Sequence, residues 1–462
     1  MKRTIQNLTM AAALLLGAAA MSSCAGFVDA LLGHEDTPAE TPTKPTTSDT
    51  NDGGSHEGSD MSLPPGAGFN RVDLSTLTED YTFKDGDVLT GTLDGTKTVI
   101  KLSVAPDAKV ILSGAQILGE DQGIWVNKWA GLTCLGNATI ILDGENTVRS
   151  FDRSFPCIQA GPDGSKLIIT GDGKLTTDGR SLAGIGSAEN ITCGDIEIQG
   201  GDLTLKDCGI GIGSGAYGSC GNITITGGTI TVQGIHRAGI GNAGSSCGNI
   251  TISGGIISTQ GGEVGIGSGL YGSCGNITIS GGSITAQGGE VGIGCHGNES
   301  SCGNITISGG TITAQGGEVG IGSVGDESSC GDITITGGTI TAQSDAGSGI
   351  GCYGIESFCG DISISWSENF VSLTAIKGNE VDYPIGSTGQ SNCGEITFNG
   401  TNIKERRQPV VSVHEGAYRN LIFTISTTLP EGVDETDEET VEPYKDNTWT
   451  LTTTTMPSGV RP

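Results

Sequence analysis

Residues 302–323 read CGNITISGGTITAQGGEVGIGS. Ile305 and Ile307 flank Thr306, Ile312 and Ala314 alternate with Thr311, Thr313 and Gln315, and Ile321 sits between Gly320 and Gly322. A period of two inside each run, broken at Gly309-Gly310 and Gly316-Gly317, predicts three short strands turned on glycine. The opening Cys-Gly recurs at Cys193, Cys220, Cys247, Cys274, Cys302, Cys330, Cys359 and Cys393, at steps of 27 to 29 residues and a last step of 34. A unit too thin to close its own core must stack on its neighbours. The expected fold is therefore all-β: a right-handed parallel β-helix (solenoid) of about 10–12 coils of about 27 residues, with terminal caps.

Weaker copies extend the pattern upstream. Ile140 and Leu142 before Gly144 align with Leu167 and Ile169 before Gly171, and with Ile196 and Ile198 before Gly200. Regular coils are expected over 140–400. A cap with irregular first coils is expected over 63–139, with looser turns between Leu89 and Ile117. Residues 401–462 read as C-terminal cap strands, at 409–429 and 449–455, around an acidic run from Asp434 to Glu442.

Composition narrows the function. Glycine supplies 80 of 462 residues and aromatics only 4%, which suits a thin layered core. A formal charge of −29 opposes nucleic-acid binding. At the N-terminus, Lys2 and Arg3 precede a short apolar run from Met10 to Met21, then Ser22, Ser23 and Cys24. This predicts a signal peptide over 1–23. The small residues before Cys24 resemble a bacterial lipobox, which implies lipidation at Cys24 and membrane contact through acyl chains only. Ala25 in place of an acidic residue implies outer-membrane sorting by the same resemblance. Removing 1–23 takes away two positive charges, from −29 to −31. Residues 24–62, rich in Thr, Pro, Ser, Asp and Gly over 36–62, read as a disordered tether.

Stacking turns each recurrent residue into a column about 4.8 Å apart. Asn222, Asn249, Asn276 and Asn304, continued by Asp195, Asp332 and Asp361, read as a turn ladder. The Cys column reads as small buried hydrophobes, because in-register side chains point the same way and disfavour a disulfide. Outside the second strand stand Thr229, Thr231, Gln233, Gln260, Thr285, Gln287, Thr311, Thr313, Gln315, Thr339, Thr341 and Gln343. Hydroxyls and amides in such an array can hydrogen-bond an extended polysaccharide; they are also ordinary exposed strand residues. Tyr217, Tyr271 and Tyr353 are loop aromatics suited to stacking on sugars. Glu263, Glu290 and Glu318 form an acidic column that repels itself unless solvated or bridged by a cation such as Ca²⁺; no other cofactor is expected.

Catalysis is not expected. Polysaccharide cleavage needs a base beside a cation, or a carboxyl pair at one place. Residues 207–376 hold one Lys or Arg, Arg237, and their acids recur coil after coil. His236-Arg237 is the one local break in the pattern, read as surface variation.

The repeat at 302–323, with WAGLTCLGNATIILDGENTV at 129–148, LIITGDGKLTT at 167–177 and AGIGS at 183–187, resembles Gly-rich β-helical surface proteins of gut bacteria. These are described as carbohydrate-binding-domain proteins, akin to a clostridial β-helical domain that binds cellulose and acidic pectic sugars. The resemblance covers about residues 85–400 and implies a surface lipoprotein that binds a host or bacterial glycan or acts as an adhesin. A structural stalk or protein-interaction scaffold is the alternative, and a polysaccharide lyase or hydrolase a more distant one.

Overall fold

The computed structural model describes residues 69–455, apart from 122–128, 179–181, 216, 366–370, 382, 388–389, 399–400, 403–418 and scattered positions between 427 and 447. Cys24, the signal peptide and the tether lie outside the described residues. So do Trp366 and Phe370 of the lengthened last coil.

Each repeat folds into the three expected strands. In the coil of the quoted stretch these are Ile305–Ile307, Thr311–Gly316 and Val319–Val324. A fourth strand of two residues, Ser301–Cys302, precedes them and was not foreseen. Corresponding strands stack into four sheets, I to IV, of 14, 13, 12 and 7 strands. Sheet I carries the Ile-Thr-Ile strands, sheet II the Thr-Ile-Thr strands, sheet III the Gly-Ile-Gly strands and sheet IV the Ser-Cys pairs. Pairing is parallel and in register, as in Ile277↔Ile305↔Ile333 and Cys274↔Cys302↔Cys330. The chain is thus a parallel β-solenoid, and the stacking already includes Asn70–Asp73 against Asp87–Thr90.

Register departs from the sequence alignment at one place. Leu167 lies over Ala138 and Ile169 over Ile140, two residues away from the alignment of Leu167 with Ile140. Gly171, at φ +100, falls over Leu142, where its missing side chain leaves room for the Leu142 carbonyl. A shift of two preserves which side chains face inward, so the core is unaffected.

Alternation holds throughout. Thr311–Gly316 runs exposed, buried, exposed, buried through Thr311, Ile312, Thr313 and Ala314. The isoleucines of sheets I and II form one continuous core with the cysteines. Each fully buried Ile contributes about 1.5–3 kcal/mol. Where sheet III meets sheet II the core narrows to backbone: a Cβ on Gly239 would stand 2.8 Å from the Thr259 Cβ.

The Asn column works as expected and has a direction. The Asn249 N–H donates to the Asn222 side-chain oxygen, Asn276 to Asn249, Asn304 to Asn276 and Asp332 to Asn304, at 2.8–2.9 Å. From Asp195 to Asp361 each coil thus offers a side-chain acceptor to the coil that follows. The Cys column is buried and none of its thiols is in a disulfide. Cys295 and Cys352 replace a sheet III serine position and come up beside it.

At the C-terminal end the final strand, Thr448–Thr455, adds antiparallel to sheet II against Val371–Ile376, and Arg419–Ser426 adds outside it. The proposed cap strand near 409–418 falls outside the described residues.

Candidate ligand-binding face

Sheet II presents the expected array on its outer side. Register sets Thr229, Ile256, Ser283, Thr311 and Thr339 in one row, and Thr231, Ser258, Thr285, Thr313 and Thr341 in the next. Gln260, Gln287, Gln315 and Gln343 form a third, with Gln233 at the matching position of its strand. These side chains are exposed or half-buried. Among the described residues no hydroxyl or amide of the Thr and Gln candidates bonds within the protein. Their donors and acceptors therefore face solvent unspent.

The array has a boundary and a continuation. In the three preceding strands the same outer positions are Glu145/Thr147/Arg149, Lys174/Thr176/Asp178 and Asp202/Thr204/Lys206. Charges pair across strands there, Arg149 with Asp178 at 2.6 Å and Lys174 with Glu145 at 3.7 Å. Such exposed pairs are worth about 0.2–1 kcal/mol each. From Thr229 onward the face is uncharged. It continues through Ser372 and Thr374, and register sets Thr452 and Thr450 opposite them. The alternation of TWTLTTTT at 448–455 was the available signal for this extension.

The tyrosines do not join this face. Tyr217 and Tyr271 lie in the loops between sheet III and sheet IV, with sheet III between them and sheet II on one side. Tyr353 ends the strand Ile350–Tyr353 and packs on the cluster of Ala238, Val264, Val291, Val319 and Val324. Its hydroxyl donates to the Glu380 carboxylate, which pushes the phenol up to about 12. It is half-buried, with one side against that cluster.

Glu263, Glu290 and Glu318 stand one per coil, linked through backbone by Glu290 N–H to Glu263 and Glu318 N–H to Glu290. Among the described residues no three His, Cys, Asp or Glu converge to hold a metal ion. Burial, then the neighbouring Glu290 and Glu380 carboxylates, raise the Glu318 pKa. A raised folded-state pKa means the native state holds this proton more tightly than the unfolded chain does. The charged form therefore costs stability above that pKa, and the cost disappears as pH falls below the ordinary carboxylate value. Glu318→Gln is expected to raise the Tm at neutral pH and to match the parent in acid. A lower Tm at neutral pH, with chelator bringing the parent down to the variant's value, would instead place a bound cation on the column.

A family model described as a beta helix repeat matches residues 277–298, 305–326 and 333–355. No curated protein matches the chain. No solved structure does either.

Proposed function

We propose that this chain is a surface lipoprotein, anchored in the outer membrane through acyl chains on Cys24, that binds an extended polysaccharide along sheet II without catalysis. The observation that carries the reading is the uncharged, in-register hydroxyl and amide face from Thr229 to Gln343, whose hydrogen-bonding groups are unspent within the protein. A polymer of hydroxylated rings lying across several coils meets a donor and an acceptor at each step. Many weak contacts then act together. The matched repeats at 277–355 include three of these strands.

The test is a polysaccharide array probed with the whole chain, with and without calcium. Retention of one or more neutral polymers is expected, with no reducing-end or unsaturated product released. The double variant Thr285→Arg/Thr313→Arg is expected to weaken retention at least tenfold, about 1.4 kcal/mol. Uniform blanks in both conditions would defeat the reading and leave the scaffold alternative.

A further inference from the structure

The coil that precedes the regular Gly-Gly-Glu coils aims its side chain at a singular place. The three coils after it enter sheet III through Gly-Gly-Glu, as at Gly261-Gly262-Glu263; this one enters through Ile235-His236-Arg237. The Glu263 N–H donates to the Arg237 carbonyl, so Arg237 heads the acidic column. Its side chain crosses to the far corner, where Nη1 stands 3.8 Å from the point a Cβ on Gly244 would occupy. That point is otherwise approached only by the Leu270 carbonyl, also at 3.8 Å. Gly244 thus floors an open gap with a guanidinium at its side.

Tyr217 and Tyr271 flank the gap from the coils before and after it. They are 77% and 61% exposed, the two most exposed large hydrophobic side chains among the described residues. Two coil steps separate them by about 10 Å, roughly the reach of a disaccharide. All three corner residues have positive φ: 57° at Tyr217, 69° at Gly244 and 55° at Tyr271. The same position keeps a positive φ in the next three coils, where Glu299, Glu327 and Glu356 occupy it; tyrosine stands there only on the two sides of the gap. Arg237 is exposed and, among the described residues, has no carboxylate within ion-pair distance. It is also the only Lys or Arg between 207 and 376.

We infer that Tyr217, Arg237 and Tyr271 form a second binding site, for a glycan segment that carries a single anionic substituent. The rings supply stacking faces, and the planar fork of Arg237 supplies paired donors to a carboxylate or a sulfate ester. The field of a chain with charge −29 repels a polyanion, so one isolated cation selects a ligand with one isolated anion. The site lies on a different corner from the sheet II face and stands or falls independently of it.

The experiment titrates the full-length chain with four probes. These are a neutral oligosaccharide, the same oligosaccharide bearing one carboxylate, the same bearing one sulfate ester, and a fully carboxylated polymer. At least one singly charged probe is expected to bind tenfold or more tightly than the neutral parent, and the two charged arms tell carboxylate from sulfate. Arg237→Ala is expected to abolish that preference, and Arg237→Lys to restore less than half of it in logarithmic terms. Tyr271→Gly is expected to weaken binding of the charged probe while the Tm holds or rises. The sheet II variant Thr285→Arg/Thr313→Arg is expected to leave the preference unchanged. Equal binding of neutral and charged probes, a preference that survives Arg237→Ala, or tightest binding of the polyanion would each overturn the assignment.

Discussion

Gly294→Ala is expected to unfold the middle of the solenoid. Gly294 has φ +139, and a Cβ there would lie 1.8 Å from the carbonyl oxygen of Gly322 in the next coil. The same close approach recurs at Gly241, Gly267, Gly322 and Gly351. Relief requires neighbouring coils to separate, which breaks ladder hydrogen bonds on every sheet at once. A loss of about 4 kcal/mol or more is expected, a large part of the 5–15 kcal/mol that holds an ordinary domain. Because each coil touches only its neighbours, the damage centres on one interface, and melting should split into two steps. Gly86→Ala is the control: φ is +82 there, but nothing lies within 4 Å of the added carbon. It should cost only about 1–2 kcal/mol. Circular dichroism melts of the two variants decide the matter, and a Gly294→Ala melt like the parent's would refute close coil stacking.

The second large effect concerns the thiols. All thirteen described cysteines are buried and none is in a disulfide. Burial pushes the Cys134 and Cys193 thiols up to about 12. Relative to the ordinary value of 9.0, the reactive thiolate fraction near pH 8 falls about a thousandfold. Because all thirteen are buried away from solvent, an aromatic disulfide reagent is expected to label none of them in the native chain within hours, and all of them in concentrated guanidinium chloride. Rapid native labelling, or fewer than thirteen thiols on unfolding, would show a different core. The linkage has a sign: the native state keeps the Cys134 and Cys193 protons longer than the unfolded chain does. Their contribution is intact below about pH 9 and is lost as pH climbs towards 12.

The solenoid was readable because three constraints agree: a fixed period, alternation within each run, and glycine at the breaks. That agreement placed Ile305, Ile307, Ile312 and Ile321 inside before any coordinates. What escaped was non-periodic. The Ser-Cys strand is too short to show alternation, and the Ile140 register turns on a local accommodation at Gly171. Tyr353 looked like a loop residue, but its strand continues through it, as the strands of the two preceding coils continue through His296 and Val324. The sheet II face was legible from Thr229 to Gln343, where each coil repeats the last. Its antiparallel continuation was not, since residues distant in sequence make it. Arg237 was visible as an exception; only the third dimension shows that it reaches the gap between Tyr217 and Tyr271.

The one-way Asn ladder bears on how such a molecule comes into being. A finished coil holds out an acceptor that only the coil made after it can fill, so each turn is a template for its successor. Construction can then keep pace with the chain as it emerges, amino end first, with no need to await the rest. A fold that grows this way converts the order in which the chain is delivered into the order of assembly.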